Sequence, residues 1–544
     1  MMDNKIFLYG AGWIGKTALY KFLKLNIPIW RVLDNNNALW GTKLMGVEIS
    51  SPSVLRGEKN CKIIVTMDEE KYQSVRQELI SLGYKENVDF FLYYDKFSSL
   101  LMAKMKKNQQ QDGLMLASGF SGNQVYIDHK QQRVYRVVQD KDRDWLLNIY
   151  DVCHQNNLLG NVIINTWLSK ADFDGKLVFE HEYVPVEISS MEWSPLLIRE
   201  AALFVVELIE KCAKAGLSPI DIHQGNIMFY KGQFIFSDFD GLEENAISTS
   251  MIERFFSWYI NRLLFAAHNP FNIYESSIPQ KNYKDVAGYF TDKEQAEYRE
   301  IKGKCVYYVE NNNVGACCEL LKNYIESVDL YGENIHFLPR YASTINKVNT
   351  KTQHILGLLA GTQVNTLLEV VCSNEIFGLS DCDKYKNIVI AGLYHEITDY
   401  VFDCIKNKKL ANVYPVRLDI ATPTLGLYRD EFIADGPIKA RSNRSAIDRL
   451  KSECVLAIGA VEHYVLNCGL AFDEILGQLA LYTNKWLIVD FDADNELVKS
   501  IIANNDEKWY TRTDFEREID RYFNINKSIS CDNGMYLYLV SIRA

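Results

Sequence analysis

The stretch "SPIDIHQGNIMFYKGQFIFSDFDG", Ser218 to Gly241, holds three aspartates, a histidine and an asparagine between apolar runs. Oxygen donors at that density serve one of two ends. Either they rim a tight, wet hairpin, or they hold a hard cation and a phosphate. Magnesium takes oxygen ligands and keeps some waters, so a few carboxylates and an amide suffice for it. The run "IMFYKGQFIFS" spaces Asn226 and Asp238 as the two ends of a short hairpin, where both can face one metal.

A second set lies near the amino terminus. "YGAGWIG" places Gly10, Gly12 and Gly15 in G-x-G-x-x-G spacing after a strand and before a helix, and Asp34 ends the next strand. The first glycine allows a tight turn, the second lets backbone approach a pyrophosphate, and the third allows close helix–strand packing. The helix N-terminus favours an anion, and Asp34 can accept from a ribose hydroxyl. The competing reading is a tight βα turn with no ligand.

Asp221 and Asn226 are spaced as in the catalytic loop of protein kinases, and "SDFDG" follows after a hairpin's length. "DIHQGNIMF" matches D-x-H-x-x-N, so the segment resembles the aminoglycoside phosphotransferase and small-molecule kinase family. The resemblance extends from about Leu114 to about Gly332. It implies that Asp221 is a catalytic base, that His223 supports the loop, and that Asn226 and Asp238 hold magnesium, with Asp240 beside them. Two departures stand out. Pro219 replaces the family's loop histidine, and "VYRVV" offers Arg136 where a lysine is usual. Arginine is always charged but its planar fork is not a lysine's point charge. "SGFSGNQVY", with Gly119 and Gly122, is the expected phosphate-covering turn. No partner glutamate is visible in "DRDWLLNIYDVCHQNN".

"YGAGWIGK", "VLDNN" and "GVEISSPSVL" resemble the small Rossmann-like domains of bacterial surface-polysaccharide enzymes, which implies sugar-nucleotide binding. "LLEVVCSNEIFGLS", "VYPVRLDIATPTLGLY" and "SECVLAIGAVEHYVLN" resemble class I S-adenosylmethionine-dependent methyltransferases of surface-polysaccharide modification. The corresponding positions are Glu369, Asp419, the turn around Pro423 and Gly426, and Glu462 with His463. The first loop departs from the family's glycine-rich pattern. Glu369, Val371, Ser373 and Glu375 stand there, and side chains would crowd the cofactor. In "NIVIAGLYHE", Gly392 stands near the place of the ribose-gripping acid. The loop therefore argues for a degenerate domain, with S-adenosylmethionine a doubtful cofactor and His463 as readily a core residue as a catalytic one.

The elements that must carry these groups follow from pattern. The chain of 544 residues is too long for one core. Alternating strand and helix patterns up to about Leu101 imply a parallel sheet. "MAKMKKNQQQDG" is a polar linker. A strand-rich lobe then precedes a helical one, and α/β alternation returns after "ENIHFLPRYASTINKVNTK". The expected fold class is multidomain, α/β and α+β, with a Rossmann-like domain over 1–104, a kinase-like bilobal domain over 113–332 and a class I methyltransferase-like Rossmann domain over 350–544.

A net charge of −11 argues against nucleic acid as a partner. No apolar run is long enough for stable membrane insertion, and the start lacks a signal peptide's pattern, so a cytoplasmic place is expected. Twelve cysteines without a C-x-x-C pair read as scattered thiols. The leading expectation is an ATP- and magnesium-dependent phosphotransferase acting on a small-molecule or glycan hydroxyl in surface-polysaccharide biosynthesis. A sugar nucleotide is a further ligand, and other polysaccharide-assembly enzymes are possible partners. The alternatives are a methyltransferase with an accessory kinase-like domain, and a non-catalytic scaffold of worn enzyme folds.

Overall fold

The amino-terminal apolar runs pair as a six-stranded sheet in the order Lys43–Leu44, Val47–Ser50, Arg31–Leu33, Lys5–Tyr9, Cys61–Val65, Phe90–Leu92. All its ladders are parallel except the hairpin between the first two. Phe7, Leu8, Ile63 and Ile64 are fully buried, alternating between two core clusters on opposite faces. A parallel sheet covered on both faces needs such continuous apolar strands. The computed structural model describes residues 5–93, 114–118, 123–268, 283–331, 350–424, 427–428, 441–443 and 445–543, except 13–14, 16–17, 20–21, 23–26, 59–60, 68, 87, 172, 174, 373–374, 493–497, 501–508 and 532–533.

The chain divides into two compact units. One comprises Met1–Gln109, Asp419–Leu425 and Ala457–Ala544, and the other Gln110–Leu418 and Gly426–Leu456. Besides the amino-terminal sheet, the first unit holds Thr483–Phe491 antiparallel to Tyr536–Ile542, which pairs antiparallel with Phe523–Ser530.

The second unit begins with a five-stranded antiparallel sheet. Its order is Thr166–Leu168, Val178–His181, Arg133–Val137, Gln124–Asp128, Leu114–Ser118, with the helix Arg143–Gln155 between the third and fourth strands in sequence. The helix Pro195–Lys214 follows, capped by Ser194, whose hydroxyl accepts from the Leu197 N–H. Proline in its first turn costs no hydrogen bond. Twelve of its twenty residues are buried, so it is the central post of the helical part rather than a surface helix. Val314–Ser327 packs along it.

The same unit ends in parallel strands. Val413–Arg417, Asn387–Gly392, Thr366–Val371 and Ser452–Ala457 lie side by side, third, second, first and fourth in sequence. The strand order reverses at Thr366–Val371, and the crevice at the carboxyl ends there is where open α/β sheets bind ligands. Among the described residues no helix is long and apolar enough to cross a membrane. All twelve cysteines are free thiols.

Candidate functional site

The hairpin Ile227–Tyr230 with Gln233–Phe236 forms as the apolar spacing implies, and Lys231 and Gly232 take the positive φ of its two-residue turn. Its ends bring Asn226 and Asp238 together. The Asn226 Nδ2 donates to Asp238 Oδ2 at 3.2 Å and to the Asp221 carbonyl at 2.9 Å. His223 caps the turn, its Nδ1 accepting from the Gly225 N–H at 3.0 Å, and its Nε2 lies 3.6 Å from the exposed Asp221 carboxylate. Asp221, His223, Asn226 and Asp238 are therefore neighbours.

Arg136 joins them from the small sheet. Its Nη2 donates to Asp238 Oδ1 at 3.3 Å and its Nη1 to Asp240 Oδ1. Its Nε faces His181 Nε2 at 3.3 Å, and Asn123 Nδ2 donates to Asp240 Oδ2 at 3.2 Å. Burial, and then the Arg136 charge, hold the His181 imidazole neutral, pulled down to about 3. Burial pushes Asp238 up to about 7 against the pull of Arg136. Burial also acts to raise Asp240, but Arg136 and hydrogen bonds from Asp238 and Asn123 outweigh it, so Asp240 sits below its ordinary value. The cluster thus sets one guanidinium between two carboxyl groups whose proton affinities are pushed apart. Asn123 and His181 carry no motif signal. They complete the site only because their strands flank Arg136 in the sheet. Gly119 and Gly122 lie outside the described residues.

At the amino terminus Gly10, Gly12, Gly15 and Asp34 also come together. A Cβ on Gly15 would stand 1.8 Å from the Gly10 carbonyl oxygen, whereas Gly12 faces open space. The close packing at Gly15 is what the spacing implies for the third glycine. Asp34 does something else. Its Oδ2 accepts from the Ala11 N–H at 2.7 Å and its Oδ1 from the Asn36 N–H at 2.8 Å, so it braces the glycine turn.

In the parallel sheet Glu369 is 2% exposed and turned inward. Its two oxygens accept from the Phe377 and Gly378 N–H groups, each at 2.7 Å. Burial pushes it up to about 7 against those donors. Glu369 therefore shapes the loop after the first strand instead of filling it. Val371 is buried and Glu375 pairs with Lys351 at 3.7 Å. Ser373 and Gly426 lie outside the described residues. Gly392 is required by packing, since a Cβ there would meet Ile397 at 2.7 Å. An acid is nevertheless present at this strand end. Glu396 lies in the first turn of the helix His395–Lys408, and its buried Oε2 faces the His395 Nδ1 at 3.5 Å. The strand pattern does not reveal it, because it stands in the helix that follows and not on the strand.

In the other unit Asp419 caps its own turn, accepting from the Ala421 N–H at 2.9 Å and the Thr422 hydroxyl at 2.6 Å. His463 is lowered by burial, with the Asp419 charge acting the other way. Glu462 ends the short helix before it.

No protein-family model and no curated protein matches the chain. Solved structures do. The N-methyltransferase NodS of Bradyrhizobium japonicum is similar at 11% identity and a TM-score of 0.25, over 36% of this chain and 95% of that one. Magnesium protoporphyrin IX methyltransferase of Synechocystis, with SAM bound, is similar at 11% identity and a TM-score of 0.25, over 42% and 96%. An S-adenosylmethionine-dependent methyltransferase of Clostridium acetobutylicum gives 12%, 0.24, 36% and 94%. These three likenesses cover 36–42% of this chain.

The cofactor expectation is corrected accordingly. It put ATP and magnesium first and S-adenosylmethionine in doubt, whereas similar structures hold SAM or its product SAH and lend ATP and magnesium no support. The physical reason lies in two places. Glu369 and Val371 are buried, and Glu369 is bonded to the Phe377 and Gly378 N–H groups. Asp238 and Asp240, the expected magnesium ligands, are already engaged by Arg136.

Proposed function

We propose that this chain is an S-adenosylmethionine-dependent methyltransferase whose segment 113–332 is an accessory domain of kinase-like fold. The observation that carries this is the loop over the carboxyl end of Thr366–Val371, at the reversal of strand order, braced from below by buried Glu369. The crevice at that point is where an open α/β sheet takes a ligand. Glu396, in the first turn of the helix after the second strand, is the acceptor for a nucleoside hydroxyl. S-adenosylmethionine, when bound, supplies the methyl group. The acceptor class that suits the chain is a hydroxyl of a small molecule or glycan.

The accessory role is supported by the seam within the second unit. Glu192 and Ser194, just ahead of the long helix, bond Arg449 and Asp399 of the parallel-sheet part. The helical part thus supports the sheet that carries the loop. The amino-terminal glycine turn remains a site for the pyrophosphate of a sugar nucleotide, with Gly12 as the point of approach.

Calorimetry of the full chain with SAH tests the proposal. Binding is expected, and Glu396→Gln should weaken it about tenfold, the loss of one charge-assisted hydrogen bond, with the melting temperature unchanged. Absence of heat from both SAH and S-adenosylmethionine with folded protein would refute the reading.

A further inference from the structure

We propose that the guanidinium of Arg136 is the resident cation of the site formed by Asn226, Asp238 and Asp240, and that the native chain holds no divalent cation there. A magnesium ion at this place would need carboxylate and amide oxygens facing inward. The oxygens present are already spoken for. Asp238 Oδ1 and Asp240 Oδ1 each face a different nitrogen of Arg136. Asp238 Oδ2 receives the Asn226 Nδ2, and Asp240 Oδ2 receives the Asn123 Nδ2, both at 3.2 Å. All four carboxylate oxygens therefore meet N–H donors, and a ring of donors repels a metal ion. Among the described residues, moreover, no three His, Cys, Asp or Glu side chains come together in a way that could hold one.

Arg136 is not placed to swing aside. It is 5% exposed, on a strand paired on both sides, with Val125 opposite on one and Phe179 on the other. Its Nε faces His181 at 3.3 Å, and His181 Nδ1 is held by the Thr166 hydroxyl at 2.8 Å. Removing the guanidinium would leave two adjoining, partly buried carboxyl groups without their countercharge, which is unfavourable. The arginine is specific to this task. A planar fork with five N–H donors reaches two carboxylates and an imidazole at once, and the single ammonium of a lysine does not. The resident cation also ties the small sheet to the loop–hairpin–loop unit, which a diffusible metal would do only when bound.

Titration of the full chain with Mn²⁺, read by the loss of free-ion paramagnetic resonance, tests this. Wild type and Asp238→Asn should take up Mn²⁺ equally weakly. Arg136→Gln, which uncovers both carboxylates without a replacement charge, should bind it at least about tenfold tighter than wild type. Circular dichroism establishes that the variant is folded. If it is not, Arg136→Lys replaces it, and a smaller gain is expected because lysine covers one carboxylate. Wild-type affinity that falls about tenfold in Asp238→Asn would overturn the proposal, and so would a folded Arg136 variant with no gain. The readout is independent of SAH, so its failure leaves the methyltransferase reading untouched.

Discussion

Glu192 and Asp399 are both buried acids on the seam between the helical part and the parallel sheet of the second unit, and they are satisfied by opposite means. Glu192 meets a full countercharge. Arg449 donates to its two oxygens at 2.5 and 3.0 Å and to the Glu187 carbonyl, with both side chains 1% exposed. Asp399 meets neutral donors, the hydroxyls of Ser194 and Tyr331, and Tyr331 stacks on His395 with ring centroids 4.9 Å apart. Burial pushes Asp399 up to about 7. The contrast separates two failure modes. A charge-paired acid is vulnerable to loss of its partner, whereas an acid among hydroxyls keeps its proton and makes the seam respond to pH.

The largest expected effect is on the charged side. Arg449→Met strands Glu192 in the interior and should lower the unfolding free energy by about 3–5 kcal/mol. Adding Glu192→Leu should restore most of that loss, read by urea denaturation. A double variant as unstable as the single one would break the comparison at its first term.

Next comes the pH response. Asp399 releases its proton near 3.8 when unexposed to any partner and near 7 in the fold. Between those values the folded chain binds more protons than the unfolded chain, so this group's contribution to stability falls as pH rises through that window. Asp399→Asn removes the term. Its stability relative to wild type should improve by on the order of 3 kcal/mol from pH 4 to pH 7. A difference that stays constant over that range would show Asp399 ionised in the fold. Buried His395, pulled down to about 3 chiefly by burial, pushes wild-type stability the other way, and taking the difference between the two proteins cancels it.

The smallest effect sharpens the neutral side. Tyr331→Phe keeps the stack on His395 but deletes one hydroxyl donor, and should cost about 1–2 kcal/mol by thermal melting. A larger loss would mean that the hydroxyl carries more of the seam than a single neutral donor does.

Several features of the site were legible because they are local. Gly15 against the Gly10 carbonyl follows from G-x-G-x-x-G, and the meeting of Asn226 with Asp238 follows from the hairpin's length. Other features were not. Asp34 reads as a ribose acceptor and is a brace, because the Ala11 N–H lies within its reach once the two strands pair. Arg136 stands where the kinase-like family has a lysine, and it bonds aspartates more than a hundred positions away. Gly392 has no room for a side chain at the second strand end, because Ile397 packs where it would go.

The sequence by itself determined the turns, the strand and helix periods and the residues gathered at each loop, since backbone sterics and hydrogen bonding act over a few residues. Only the tertiary structure decided which charge each buried acid would meet. Arg136 for Asp238 and Asp240, Arg449 for Glu192, and hydroxyls or backbone N–H groups for Asp399 and Glu369 are contacts across the fold. In a low-dielectric interior those distant partners set whether an acid binds a cation, keeps a proton or shapes a loop.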